Sequence, residues 1–316
     1  MSSTISQIIG DDEMASTRIW SIGSGKGGVG KSFVASSLGV SLSRMNQRTL
    51  LIDFDLSGPN LHTALGEPPA RKNIDHFLSD QASLSELIQT TQFSNLFFIQ
   101  GTTNPGDRKI SDVQRLVAEA RRLPFNEIIF DLGPGSQETY LETLRHSDEK
   151  LFIVTPEPPC IEKNYRLIEN LLLYTIKVLN FDKINVPLKP VLEQYREAHL
   201  PGTTTFRDHL KSATGWTWDQ ETEIFPNPIR IIVNQVRGDK DLDLGPSIRL
   251  VCKHFFSLKI DYSGSLYFDN AVWQSFRTVE PMLMKYPFSP LAGQFQAMAR
   301  KLLTSDLHSQ SLRAVV

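Results

Sequence analysis

The chain has 316 residues, 40% hydrophobic and 22% charged, which is ordinary for a folded protein and enough for one large α/β core. Its formal net charge of −2 argues against a strongly basic nucleic-acid binder, and its two cysteines, Cys160 and Cys252, form neither a C-x-x-C pair nor a metal-ligand spacing. No apolar run nears the roughly 18–20 residues that cross a bilayer and no secretory pattern opens the chain, so the expected location is cytoplasmic.

Residues 1–17 are polar and acidic and read as a flexible tail. A short apolar strand, Ile19 to Ile22, then runs into Gly23-Ser24-Gly25-Lys26-Gly27-Gly28-Val29-Gly30-Lys31-Ser32, and a helical run follows from Phe33 to Met45. From Gly25 the spacing is G-x-x-x-x-G-K-S, the phosphate-cradling P-loop, in its strand–loop–helix setting. Glycines let backbone N–H groups approach phosphate oxygens, and the helix N-terminus adds unpaired donors and the positive end of its dipole. The candidate nucleotide contacts are Gly25, Gly27, Gly28, Val29, Gly30, Lys31, Ser32 and Phe33. Lys31 is the candidate for the β/γ-phosphates and Ser32 for Mg2+.

Thr49 to Asp53 is a second apolar strand, delivering Asp53 and Asp55 to its C-terminal edge, where ligands bind in open α/β sheets. Short helices are expected at Leu61–Leu65, Ile74–Leu78 and Leu84–Ile88, a strand at Asn95–Ile99 and a helix at Ile110–Arg122. Glu127 to Asp131 repeats the strand-plus-aspartate pattern ahead of Leu132-Gly133-Pro134-Gly135, so Asp131 is a candidate Mg2+-site carboxylate. Leu151–Thr155 is a strand and Ile161–Leu179 a long helix. Residues 181–228 break the alternation and read as an insertion. Pro228–Asn234 resumes the sheet, Leu244–Phe256 is helical, Leu258–Tyr262 strand-like, and Ser289–Leu303 a closing helix. The expected architecture is a three-layer α/β/α P-loop NTPase, with a mostly parallel sheet between helices, in one domain over residues 18–303.

Lys26 is a second lysine, five positions before Lys31. Lys26-Gly27-Gly28-Val29-Gly30-Lys31-Ser32 resembles the deviant Walker A motif of the MinD/ParA ATPases. The resemblance implies an ATP-bridged homodimer in which Lys26 contacts the partner's phosphates. Leu51 to Leu56 resembles the family's switch I, where Asp55 would position the attacking water and stand near Mg2+. Asp131 to Gly135 resembles switch II, and Thr155-Pro156-Glu157-Pro158 is similar to a segment of the flagellar relative FlhG, where Glu157 would shape a loop beside the site. Ile232 to Val236 resembles the strand whose asparagine, here Asn234, reads adenine. Gly264 to Ser275, with Asp269 as a further nucleotide contact, and Lys285 to Ser289 resemble the closing segment of FlhG-type members.

The function implied is a Mg2+-dependent ATPase, with Lys26, Lys31 and Asp55 as its catalytic residues, switching the position of flagella or of a polar or division complex. A ParA-type DNA or cargo partition ATPase and a non-hydrolysing ATP-dependent scaffold are the alternatives. An iron–sulfur carrier of the Mrp type would need the C-x-x-C this chain lacks. A protein activator or cargo adaptor is an expected partner, and nucleic acid is not. Residues 304–316 are read as a tail or short amphipathic helix making weak contact with the inner membrane or cell pole.

Overall fold

Most of the long strands are buried along almost their whole length, which is why their sequences read as apolar runs rather than as alternations. Thr49–Phe54 (β2) and Glu149–Val154 (β6) are buried at every position, and Arg18–Ser24 (β1) and Glu127–Pro134 (β5) at all but one. Such strands need helices on both faces. The computed structural model describes residues 17–56, 58–102, 108–179, 188–197, 206–215 and 224–313, with side chains of the last helix to Thr304.

Eight strands form one sheet in the order β3-β4-β2-β5-β1-β6-β7-β8, where β3 is Gln89–Thr90, β4 Leu96–Ile99, β7 Ile229–Val236 and β8 Ile260–Tyr267. Every pairing is parallel except β3 with β4. The order puts β1 between β5 and β6, so the loop leaving β1 emerges near the middle of the sheet's C-terminal edge. The register sets Asp53 of β2 directly beside Asp131 of β5.

Lys31–Ser43 (α1) packs on one face with Pro290–Arg313 (α12) and Leu61–Leu65 (α2). On the other face Ile110–Arg121 (α4), Glu138–His146 (α5) and Pro158–Leu179 (α6) lie side by side. Although rich in serine, α1 is almost wholly buried. Its small residues let it approach β2 so closely that a Cβ on Gly39 would lie 2.9 Å from the Leu51 side chain. The Ser36, Ser41 and Ser43 hydroxyls donate to backbone oxygens of their own helix, at 2.8–3.0 Å. Burial of those hydroxyls therefore leaves no donor stranded.

The elements depart from the sequence reading in a few places. Leu84–Leu87 is a 3-10 turn, and the two-residue β3 is too short to leave a pattern. Helix α5 was not foreseen, although Tyr140, Leu141 and Leu144 form its buried stripe. Strand β8 starts later than Leu258 and continues past Tyr262 to Tyr267, with a register shift against β7 where Gly264 takes φ 145°. Its Ser and Gly residues look like loop in a linear reading. Helices at Leu61–Leu65 (α2) and Ile74–Leu78 (α3), strand β4 and helix α4 fall where the sequence places them. Within the expected insertion, Leu188–Glu197 (α7) and Phe206–Thr214 (α8) pack against each other, α7 against α6, and α8 against Leu244–Phe256 (α9). Tyr195 and Phe206 are buried there with ring centroids 5.6 Å apart. Asn270–Thr278 (α10) and Met282–Lys285 (α11) precede α12, which runs on to Arg313 rather than stopping at Leu303. Residues 1–16 and 314–316, expected as tails, lie outside the described residues. Thr17 is tied down by hydrogen bonds from its hydroxyl to the carbonyls of Leu123 and Phe125. Among the described residues no helix is long and apolar enough to cross a membrane.

Candidate functional site

The loop between β1 and α1 is held from two sides. On one side Gly25 lies against α6, where a Cβ would come within 2.1 Å of the Lys163 carbonyl oxygen. Its N–H donates to Asn164 Oδ1 at 3.3 Å, and the Asn164 amide donates to Cys160 O and Ser24 Oγ. On the other side Asn234 of β7 donates to Val29 O at 2.8 Å. Gly30 caps α1 with φ 92°, a left-handed conformation, and a Cβ there would lie 2.6 Å from Asn234 Nδ2. The loop is thus shaped before any ligand arrives.

Lys31 is only 7% exposed, and burial lowers the pKa of its ammonium against the opposing pull of Asp131 and Asp55. Asp131 is 1% exposed, and neither carboxylate oxygen has a hydrogen-bond partner in the described chain. Burial lifts its pKa to about 7, with the Ser32 hydroxyl and Lys31 pulling it down. Asp53, in register with it, is also buried, and burial followed by the charge of Asp131 raises its pKa. Both Asp53 oxygens are committed to backbone, however: Oδ1 accepts from Asp55 N at 3.2 Å and Oδ2 from Leu61 N at 3.0 Å. Asp53 ties the segment after β2 in place, while Asp131 keeps two bare acceptors beside a serine hydroxyl and a lysine. A hard cation that takes oxygen ligands fits that set.

Asp55 Oδ1 accepts from Gly58 N at 3.1 Å. Next to it, Tyr140 of α5 accepts from Leu56 N at 3.1 Å, and burial pushes the Tyr140 pKa up to about 12. Gly133 separates them: a Cβ there would meet Tyr140 Oη at 2.3 Å and Asp55 Oδ1 at 2.8 Å. The segments after β2 and β5 therefore interlock through a glycine and a tyrosine. Tyr140 was missed by the sequence reading because the helix carrying it was.

A cavity of about 540 Å3 opens here. Gly27, Gly28, Gly30, Lys31, Ser32, Phe33, Asp55, Asn234 and Asp269 all line it. Phe33 packs edge-on against Phe295, and Asp269 also caps α10 by accepting from Ala271 N at 2.8 Å. Val29 is in the core and Asp131 is buried, so neither lines the cavity. Lys26 also stays outside the lining: its ammonium is 2.5 Å from Glu157 Oε2 in the same chain, and that hydrogen bond is the main reason its pKa is raised. Cys160 is a core thiol whose Sγ accepts from Thr155 N, and Cys252 is buried. Among the described residues no cluster of His, Cys, Asp and Glu makes a metal site of its own.

The CobQ/CobB/MinD/ParA nucleotide binding domain family matches residues 20–281. The septum site-determining protein MinD of Helicobacter pylori is 29% identical over 151 residues, 46% of this chain and 56% of that protein. The chain spans a little over half the length of such relatives, 60% for a putative MinD of Tupiella akineta. In three dimensions, MinD of Pyrococcus horikoshii, solved with Mg-ADP, aligns at TM-score 0.61 and 20% identity over 90% of this chain and 96% of that one. MinD in the MinC:MinD complex of Aquifex aeolicus aligns at TM-score 0.60 and 18% identity, over 91% and 96%. At such identities the structural likeness concerns the fold.

Proposed function

The chain belongs to the CobQ/CobB/MinD/ParA nucleotide-binding family, and from that membership we propose that it is a Mg2+-dependent ATPase that dimerises on ATP and switches the position of a cellular structure. The observation that carries the reading is the pair of unpartnered Asp131 oxygens beside Lys31 and Ser32, at the foot of a preshaped glycine loop. That set matches a phosphate group with its cation. Ser32 and Asp131 would hold the ion, with Asp55 near it. A bound Mg2+ would offset negative charge on the phosphate oxygens. Loop amides and Lys31 would bind the β- and γ-phosphates, and Asp55, steadied by Gly58 N, would orient the attacking water.

Lys26 is the residue through which a second copy would complete the site. To reach a partner's phosphate it must leave Glu157, so ATP and Glu157 compete for one ammonium. The exchange ties dimer formation to the γ-phosphate, and its loss on hydrolysis releases the dimer. The working unit in this reading is residues 18–303, with 181–228 as the surface for an activator or adaptor. A MinD relative carrying a bound MinC supports the idea of a protein partner. Flagella or a polar or division complex would be the structure placed, with the C-terminal segment making weak membrane contact.

Light scattering of the full chain with Mg-ATP, with Mg-ADP and without nucleotide tests the proposal. The expected result is an ATP-dependent dimer that Lys26→Ala abolishes, with phosphate released on turnover. A Lys26→Ala protein that dimerises on ATP as well as its parent would refute the role of Lys26. Dimerisation without phosphate release would leave a scaffold in place of an ATPase.

A further inference from the structure

One end of the cavity is aromatic. Phe268, just past β8, and Trp273 and Phe276 of α10 line it, along with Asp269, the N-cap of that helix. At its other end α10 is capped by Val279, which has φ 52° and ψ 41°, a left-handed conformation. Of the described non-glycine residues with positive φ, Val279 is the one branched at Cβ. Glycine is the usual residue just past a helix in this conformation, and a β-branched residue there is a steric outlier. The Val279 side chain is 51% exposed, so core packing does not offset the cost. Strain of this kind persists only where the surroundings enforce it, and it clusters at functional sites.

Helices on either side enforce it. On one side Pro281 caps α11, whose Met282 and Leu283 are buried. The Leu283 carbonyl accepts from the Arg44 guanidinium, at the end of α1, at 3.1 Å. Lys285 Nζ of α11 reaches back to Thr278 Oγ1 at 2.8 Å. On the other side is the end of α2. Gly66 caps that helix with φ 69°, and a Cβ on it would lie 2.8 Å from Pro281 Cδ and 2.9 Å from Val279 O. Gln92 Nε2 holds the same end by donating to Leu65 O at 2.9 Å. Elsewhere α2 stands off. A narrow cleft between Thr63 and Ala64 of α2 and Ser275 and Phe276 of α10 leaves about 10 Å3, the room of a single water. At its start α2 is tied to Asp53, which accepts from Leu61 N through Oδ2 and from Asp55 N through Oδ1.

A chain of contacts therefore leads from α10, in the cavity wall, through the 279–281 turn and α2 to the segment carrying Asp55. We propose that this turn is a stiff joint, with Val279 as a positioning residue, through which α10 sets the place of Asp55. The proposal rests on the nucleotide reading above and adds to it a link between two walls of the cavity that passes outside the cavity. Valine has a narrow left-handed range, so a displacement of α10 is passed on to Gly66 and α2 instead of being absorbed at the turn. Glycine would absorb it. A ligand that closes against α10 thereby steadies Asp55 from behind, and water is oriented over a filled cavity.

Phosphate release, ADP titration and calorimetry on full-length Val279→Gly and Val279→Asn test this. Glycine removes the strain, so Tm should hold or rise by roughly 2 °C. The slack joint should nevertheless cut phosphate release about fivefold or more and leave ADP affinity within about twofold of the parent. Asparagine tolerates the left-handed backbone and is stiffer than glycine, so Val279→Asn should keep the parent's turnover. In a Tyr140→Phe background, where the segment after β2 has already lost one hold, Val279→Gly should lower turnover by less than it does alone. A Val279→Gly protein with unchanged turnover overturns the joint, and so does a lower Tm. Equal loss of turnover in the glycine and asparagine variants, or losses that multiply in full with Tyr140→Phe, would do the same. A matching loss of ADP affinity would put the effect of Val279 on the cavity wall itself and reject the link to Asp55. If the parent neither binds ADP nor releases phosphate, the nucleotide reading falls and the joint falls with it.

Discussion

Tyr140→Phe removes one oxygen atom and separates stability from catalysis. The Tyr140 hydroxyl is buried and accepts the Leu56 N–H at 3.1 Å. Leu56 is itself buried, so its donor would have no replacement from solvent. Leaving a buried N–H unsatisfied costs about 1–3 kcal/mol. The ring would stay, and with it the edge-on contact to Phe54 at 6.3 Å between centroids, so no large cavity forms. For a chain of this length the loss corresponds to a fall of roughly a few degrees in Tm. The residue freed is next to Asp55, whose Oδ1 faces Gly133, so the segment placing Asp55 loses one of its anchors, Asp53 remaining, while the glycine loop keeps both of its own. Phosphate release should therefore drop about tenfold or more, with ADP affinity within about twofold of the parent. Calorimetry, steady-state turnover and ADP titration on the same preparation measure the three quantities. An unchanged Tm together with unchanged turnover would show that Tyr140 does not hold the segment, and a loss of ADP affinity would place its effect at the wrong end of the cavity.

Asp131 yields a pH prediction. Its pKa is raised by burial to about 7 in the fold, and a free carboxylate ionises near 4. The folded state therefore holds the proton more tightly than the unfolded state, and stability falls as pH rises through that window and levels off above about 7. Without metal, the loss between pH 5.5 and 8 is on the order of 2 kcal/mol. Asp131→Asn should flatten that slope, and Mg-ADP should restore stability to the parent at pH 8 and not to the variant; parallel pH profiles for parent and variant would count against the assignment. Glu157→Gln should free Lys26. ATP-dependent dimers should then form at roughly several-fold lower protein concentration by light scattering; a weaker dimer would mean that Glu157 supports the interface instead of competing with it.

What could be read in advance, and what could not, follows from chain distance. The glycine loop, the Asp53–Asp55 segment, Asp131 and Asn234 each belong to a contiguous strand-and-turn pattern, so their places at the sheet's C-terminal edge follow from local sequence. The residues that fix those groups come from elsewhere. Asn164 reaches Gly25 from 139 positions away, and Tyr140 reaches Leu56 from 84. Those contacts exist because the sheet order puts β5, which leads into α5, beside β2, and β6, which leads into α6, beside β1, and no periodicity encodes that order. The aromatic end of the cavity was hidden for another reason. Ser263, Gly264 and Ser265 interrupt β8 with residues that resemble a loop, and the register shift that gathers Asn234, Gln235 and Phe268 is a property of the pair β7–β8.

Lys26 shows how the two levels of reading constrain each other. A resemblance of motif points its ammonium toward a partner molecule, while within one chain the same ammonium is 2.5 Å from Glu157. The two placements are compatible only if the chain has two states of similar free energy. The pair is partly exposed, with Glu157 53% accessible, so water screens it and it contributes little to stability. A buried pair would lock Lys26 in place and oppose the dimer. An exposed one keeps the side chain ordered and charged, yet yields it to a phosphate that offers more negative charge and several acceptor oxygens. In the proposed cycle, removing the γ-phosphate would take away most of that advantage, and Glu157 would regain the ammonium. In this arrangement hydrolysis can reverse assembly without any change in the core of the fold.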